Sequence, residues 1–449
     1  MSGTFFIFFI LPVDKYKKVS YIIHYRTNVR EMKERCLGMD RIILHSDMNS
    51  FYASVECMLN PELKNKAVAV GGSVEDRHGI ILAKSELAKK YGVQTGDTIW
   101  EAERKCKDLI IIPPHYEQYQ LYSSYAHEIY QRFTDLIEPF GLDECWLDVT
   151  GSTRLFGSGY DIACQIKETI KHELGLTVSI GVSFNKIFAK LGSDLKKPDA
   201  ITVISRDNFK EKVWPLKASD MLGVGRATYK KLEDFGIITI GDLAKTDVKL
   251  LKRKLGKCGV DLWTYANGND VSRVRPDGYK TPAKSIGHGI TCASDLMNTE
   301  EVWKVLLELS QTVSHRLKEE KLSACGVQIS VKDNQLFVRQ FQAVLPYATQ
   351  SAKELAEAGI ELFSCNYKWQ NNVRAITIRA INLQSSDMPI QLDLFSNAEK
   401  HERQEVIDNT VMDIRRRFGD KAIQNASLLE NDKLPKEKHE SVLPSPMFK

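Results

Sequence analysis

The chain has 449 residues, enough for about three domains at roughly 150 residues each. Its hydrophobic fraction of 43% and charged fraction of 27% are those of an ordinary globular protein, which excludes fibrous and wholly disordered classes. Net charge is only +4, so there is no global basic field, and a nucleic-acid partner would have to be met by local patches.

Phe5 to Val13 is strongly apolar but far short of the ~20 residues needed to span a bilayer. No basic residue precedes it and no small-residue cleavage site follows it, so neither a signal peptide nor membrane attachment is expected. Met39 directly precedes the first strand and is the expected start of translation, which would leave residues 1–38 untranslated; the alternative is a genuine leader over residues 1–39. Nine cysteines are scattered without a Cys-x-x-Cys pair, which fits reduced thiols in a cytoplasmic protein.

Residues 41–47 (RIILHSD) read as a short buried strand ending on a carboxylate. A helix is expected over 51–59 and a strand over 67–70, with short helices over 84–91 and 97–107 parted by Gly92 and Gly96. A helical period covers 116–137 and stops before Pro139. Residues 137–142 and 145–149 then form a hairpin candidate with Asp143 and Glu144 between them. A helix over 160–174 closed by Gly175, a strand over 177–183 and a helix over 185–195 complete the pattern. The order strand, helix, strand, strand, helix, strand, helix is the split βαβ arrangement of a ferredoxin-like sheet, with 51–114 inserted after its first strand. That order sets Asp47 beside the hairpin tip that carries Asp143 and Glu144.

Residues 205–275 read as helical and contain Leu222-Gly-Val-Gly225 and a basic run over 249–257. The polar stretch 271–285, with Pro276 and Pro282, reads as a linker. A small α+β domain follows. Val302, Leu306, Leu309 and Val313 lie at helical spacing, Asp333-Asn334 is a hairpin turn, and 374–383 is a strand. Residues 396–449 form a charged tail, expected to lack structure after Asn425.

Three acids at strand ends are costly to bury unless they are paired or bind metal. Magnesium takes a few carboxylates together with substrate phosphate oxygens. A polar turn at Asp143-Glu144 and a helix cap at Asp47 would use the same residues without any chemistry.

Residues 45–56 (HSDMNSFYASVE) resemble the first catalytic motif of Y-family DNA polymerases, and 142–150 (LDECWLDVT) the second. Residues 179–190 with 193–198 are similar to a third motif, and 222–225 fall where that family has its thumb helix-hairpin-helix. The resemblance is closest to the DNA polymerase IV branch and covers about residues 40–395. It implies an α+β fold with a ferredoxin-like palm (40–50 and 115–204), fingers (51–114), a helical thumb (205–275), a linker (276–285) and an α+β little finger (286–390).

The implied activity is low-fidelity, template-directed addition of dNTPs to a primer in translesion synthesis. The alternative is a non-catalytic clamp- and DNA-binding bypass factor. A nucleotide cyclase shares the sheet type but lacks the downstream segments. The resemblance implies two Mg2+ ions held by Asp47, Asp143, Glu144 and the Met48 carbonyl. Phe51 and Tyr52 would lie beneath the sugar, with Tyr52 as steric gate, and Lys89 and Lys197 would contact the triphosphate. DNA phosphates would meet Gly223, Gly225, Lys249, Lys252, Arg253 and Lys254. Gln391, Leu392, Leu394 and Phe395 resemble the short motif that binds the replication sliding clamp. The expected partners are primer-template DNA, dNTPs and that clamp, around a monomeric enzyme. Three positions depart from the family: Asn49 replaces a frequent aspartate, and Glu86 and Lys89 stand where many relatives have tyrosine and arginine.

Overall fold

The computed structural model describes residues 40–74, 77, 79–389, 398–419, 422–428 and 433–434. The leader and the clamp-like segment 391–395 lie outside these residues. The described residues form two compact units, residues 40–49 with Tyr122–Tyr279, and those of Ser50–Leu121 with the described ones from Lys280 on.

In chain order, β1 (Ile43–Met48) and α1 (Phe51–Leu59) stand where expected, as does β2 (Val68–Gly71). β3 (Ile81–Lys84), α2 (Glu86–Lys90), α3 (Ile99–Lys105) and β4 (Ile110–Ile112) follow. α4 (Tyr116–Gln131) leads to the hairpin of β5 (Ile137–Pro139) and β6 (Glu144–Asp148). Next come α5 (Gly159–Leu174), β7 (Val178–Ser183), α6 (Lys186–Leu195) and β8 (Ile201–Ile204). A helical run holds α7 (Phe209–Val213), α8 (Arg226–Glu233), α9 (Ile240–Lys245), α10 (Val248–Leu255) and α11 (Lys257–Ala266). The last elements are β9 (Ser285–Leu296), α12 (Thr299–Glu319), β10 (Leu322–Asp333), β11 (Val338–Thr349), α13 (Ala352–Asn366), β12 (Val373–Ser385) and α14 (Ala398–Phe418). The sequence reading missed β3, β4, β8, β9, α13 and α14. Three of these are strands of three or four residues, which become strands only by pairing with a neighbour.

The first unit holds a sheet in the order β5-β6-β1-β7-β8. β1 is antiparallel to β6 and to β7, which is the ferredoxin-like arrangement, and β8 extends it parallel to β7. All six residues of β1 and of β7 are buried. α6 lies very close against this sheet because Gly181 has no side chain: a Cβ there would sit 1.9 Å from the Ala189 carbonyl oxygen. The other face of α6 joins Phe184, Phe188 and Leu191 to the core of the helical run, with Leu232, Ile240, Leu243, Leu251 and Leu262.

The polar stretch after α11 is anchored to the first unit as far as Tyr279. Arg41 donates to the Ser272 carbonyl at 2.6 Å. Val274 is buried beside Ile43 and Trp146. Asp277 accepts from His127 at 2.8 Å and from Gln131 at 2.6 Å. A segment that looks like free linker by composition is therefore partly a strap, held by side chains distant in sequence.

The second unit holds the small sheet β3-β2-β4 and the larger sheet β11-β10-β12-β9. α12 and α13 pack on the larger sheet through Leu306, Leu309, Val313, Leu355 and Phe363, against Ile329, Val331, Ile376 and Ile378. Each such fully buried side chain contributes about 1.5–3 kcal/mol. The β10–β11 turn is held by Asp333, which accepts from Gln335 N at 2.9 Å and Phe337 N at 3.0 Å. α14 is tied down by buried His401, whose Nδ1 lies 2.9 Å from Glu354 Oε1 and whose ring stacks on Tyr347. Among the residues expected to lack structure, Ala426–Leu428 form a turn of 3-10 helix. Leu434 packs on the core of the second unit, and Lys433 donates to the Asp295 carbonyl at 3.0 Å. Among the described residues no helix is long and apolar enough to cross a membrane.

Gly181→Ala is expected to destabilise the first unit by about 3 kcal/mol, because the added methyl meets helix backbone and not a movable side chain. Urea unfolding followed by tryptophan fluorescence measures it; an unchanged midpoint would show that α6 can move outward freely.

Candidate active site

β1 brings Asp47 to the end of the sheet, directly opposite Glu144 on β6. Asp143 closes the same corner, its carbonyl accepting from Met48 N at 2.9 Å. Three carboxylates thus meet at one end of adjacent strands, as the sequence order requires. Asp47 is only 5% exposed, while Asp143 and Glu144 are half-buried. Burial pushes the Asp47 carboxyl up to about 7, with Lys197 opposing the shift. Burial and the neighbouring Glu144 charge push Asp143 up to about 6. Burial acts on Glu144 in the same direction, but His45 and Lys190 overcome it and hold the group near 2. The acids crowd one another, and a bound cation would favour their charged forms.

The counter-charges come from one helix. Lys186, Lys190, Ser193 and Lys197 follow the spacing i, i+4, i+7, i+11, a single stripe along α6 and just past its end. Lys186 pairs with Glu138 at 2.8 Å and lies over the Trp146 ring. Lys190 bonds Glu144 Oε2 at 2.5 Å. Lys197 bonds Asp47 Oδ2 at 2.7 Å and Asp194 at 2.9 Å. Burial opposes the Lys197 charge, but these two carboxylates more than restore it and raise its pKa.

Sequence reasoning had singled out Lys197. It missed Lys190, His45 and Ser193, although the helical stripe of cations facing an acid-bearing strand was a usable signal. Among the described residues no three metal-ligating side chains form a ready cage.

Asn49 has its own work. Its amide donates to Ser179 Oγ at 2.9 Å and its carbonyl oxygen accepts from Asp199 N at 2.9 Å. It ties the end of β1 to β7 and to the loop after α6, using both a donor and an acceptor where a carboxylate offers acceptors alone.

The remaining nucleotide candidates lie in the second unit. Phe51 is 3% exposed and anchors the start of α1. Tyr52 is half-buried and stacks on Tyr119, with ring centroids 4.1 Å apart and planes 9° from parallel. Tyr119 in turn donates to buried Glu56 at 2.5 Å, and His115 contacts the same carboxylate at 2.9 Å. The Tyr52 ring is thus braced on one face by a hydrogen-bonded partner. Glu86 accepts from Ser50 at 2.9 Å, and its other oxygen lies 3.8 Å from Lys89 Nζ. Glu86 therefore secures the start of α1 and leaves Lys89 half-exposed.

In the helical run, Gly223 adopts a positive φ of 91° and Gly225 precedes the first turn of α8. Lys249, Lys252, Arg253 and Lys254 are all exposed on α10. The Lys254 ammonium lies 4.7 Å from the centre of the Phe235 ring.

Residues 46–194 match the impB/mucB/samB family model, and 283–394 match that family's C-terminal domain. Residues 219–270 match the DNA polymerase-iota thumb domain. The chain is 49% identical over 393 residues to DNA polymerase IV of Acetivibrio thermocellus, spanning 88% of this chain and 98% of that one. It is 34% identical to DNA polymerase IV of Clostridium acetobutylicum, spanning 88% of this chain and all of the relative, 100%. Its fold is that of a Y-family DNA polymerase chimera, with a TM-score of 0.68 at 22% identity over 76% of this chain and 98% of that one. The buried acid corner, the ferredoxin-like sheet and this likeness over most of the chain agree: the protein belongs to the Y-family DNA polymerases, in the DNA polymerase IV branch.

Proposed function

We propose that this DNA polymerase extends a primer at a two-magnesium site held by Asp47, Asp143 and Glu144 with the Met48 carbonyl, and that it works with low fidelity across damaged templates. The observation that carries the reading is the acid corner itself, where Asp47 faces Glu144 across β1 and β6 beside Asp143. The primer 3′-hydroxyl attacks the α-phosphate of the dNTP, forming a new phosphodiester bond and releasing pyrophosphate. When bound, magnesium would favour the ionised hydroxyl and offset the charge of the leaving pyrophosphate.

The protein's own part is to supply fixed charges. Lys197 and Lys89 balance the triphosphate, Lys197 exchanging its bond to Asp47 for one to phosphate. Phe51 and Tyr52 carry the sugar, and the Tyr52 ring excludes a 2′-hydroxyl. Gly223, Gly225 and the α10 cations contact the DNA backbone without reading bases, which suits a tolerant enzyme. On this reading the palm, fingers, thumb and little finger take the boundaries that the resemblance implies. Gln391, Leu392, Leu394 and Phe395 bind the sliding clamp. Retention of all three acids speaks against a non-catalytic bypass factor.

Asp47→Ala, Asp143→Ala and Glu144→Ala are each expected to abolish primer extension while DNA binding persists, since each removes an anion from the cation site. Gel-based extension and DNA-binding assays with magnesium test this; substantial extension by Asp143→Ala would overturn the assignment. Extension past lesion-bearing templates, compared with undamaged ones, tests the bypass activity.

Tyr52→Ala is expected to lower discrimination between dCTP and rCTP by about tenfold or more, equivalent to about 1.4 kcal/mol. Because the ring is half-buried on Tyr119, the thermal melt should fall only modestly. A wild-type ratio of kcat/KM values in a protein with a much lower melt would assign Tyr52 to packing alone.

Leu394→Ala with Phe395→Ala should leave distributive synthesis intact and remove stimulation by the clamp, because tethering raises local concentration without adding chemistry. Undiminished stimulation of the double variant would remove the clamp role from this segment.

A further inference from the structure

Beneath the acid corner lies a buried chain of polar side chains that none of the roles above uses. His45 is 0% exposed on β1, two residues before Asp47 and on the same face of the strand. Its direct partner across to β6 is Trp146, whose ring it meets edge-on at 5.2 Å. Glu144 is its diagonal neighbour on that strand, and such neighbours are within reach of long side chains. His45 Nε2 lies 3.4 Å from Glu144 Oε2, an electrostatic contact longer than a full hydrogen bond. His45 Nδ1 lies 2.9 Å from Ser193 Oγ on α6.

The tautomer follows from these neighbours. A carboxylate only accepts, so the nitrogen facing Glu144 must carry the proton. Nδ1 is then an acceptor, and the single Ser193 hydroxyl proton is shared between it at 2.9 Å and the Lys190 carbonyl at 2.7 Å. The opposite tautomer would aim a lone pair at an anion inside the protein. Lys190, one turn before Ser193, bonds the same Glu144 oxygen. The carboxylate is therefore bonded by Lys190 from the helix and faced at 3.4 Å by the His45 ring from its neighbouring strand. This arrangement depends on the close approach of α6 at Gly181 and Gly192, where a Cβ on Gly192 would lie only 3.1 Å from the Gly181 Cα.

We infer that His45, held by Ser193, is a positioning residue that fixes the Glu144 carboxylate in the orientation a divalent cation needs. The inference rests on Glu144 being a cation ligand, as proposed above. His45 touches no substrate; it acts through Glu144. Groups that orient ligating side chains typically change metal affinity or activity by about 10–100-fold when removed.

The test uses the full chain bound to primer-template DNA. Mn2+ affinity is measured by isothermal titration, alongside kcat and KM for dNTP and a thermal melt. His45→Phe keeps a ring and loses both nitrogens. It is expected to weaken Mn2+ binding and lower kcat by about 10–100-fold, with KM for dNTP and the melt close to wild type. His45→Gln restores an N–H donor and should recover part of both losses, which a purely structural role would not produce. Ser193→Ala should shift Mn2+ affinity in the same direction to a smaller extent. A folded His45→Phe protein with wild-type Mn2+ affinity and kcat would overturn the inference. Should that variant fail to fold, an unchanged Mn2+ affinity in Ser193→Ala would overturn it equally. Glu144→Gln separates the two levels. If it too leaves Mn2+ binding and kcat intact, the cation-site assignment itself fails; if it loses both while the His45 and Ser193 variants do not, only the positioning role falls.

Discussion

The constraint on which the first unit turns is the cost of gathering carboxylates at the end of a buried sheet. Asp47 sits 5% exposed, opposite Glu144 and beside Asp143. Anions in such a place are tolerated only if cations or donors lie within bonding distance. α6 meets that demand with Lys190 on Glu144 and Lys197 on Asp47. The helix can do so because β7 carries glycine, not a larger residue, at position 181. A packing feature with no charge of its own thus decides whether the charged site can exist.

The same corner shows why the acids are not neutralised permanently. The two lysines are single charges on flexible stems, and each bonds its carboxylate through one end only. On the proposed reading, a phosphate-bearing substrate would draw Lys197 away and a divalent cation would take the oxygen it leaves. Asp47 and Asp143, with pKa values pushed up to about 7 and about 6, are the groups whose ionisation a cation would favour most. Glu144, already ionised under the influence of His45 and Lys190, is the fixed anion of the set.

Departures from the family pattern are absorbed by local hydrogen bonds. Asn49 bridges Ser179 and the Asp199 amide, so its amide has a structural use that a carboxylate would meet only in part. Glu86 bonds Ser50 at the start of the helix that carries Phe51 and Tyr52. The strap over 271–279 is similar: polar composition conceals anchors at Arg41, His127 and Gln131.

By itself the sequence determined the ferredoxin-like order, the acid trio, the helical run and the face of α12 that is buried. Each depends on a periodic or positional pattern within a short stretch: alternation in β1, the hairpin around Asp143, and apolar spacing from Val302 to Val313. The motif resemblance reached further and named the family. Tertiary structure alone decided the rest. β3, β4 and β8 are too short to show a period and take their conformation from the strand beside them. α14 owes its place to His401 against Glu354, residues 47 positions apart. His45 looked like one more residue in an apolar strand, and Lys190 like an ordinary helix lysine. Only when α6 lies against β1 do Ser193, His45, Lys190 and Glu144 become one network, because the contacts that define it span up to 148 residues of chain and no local pattern encodes them.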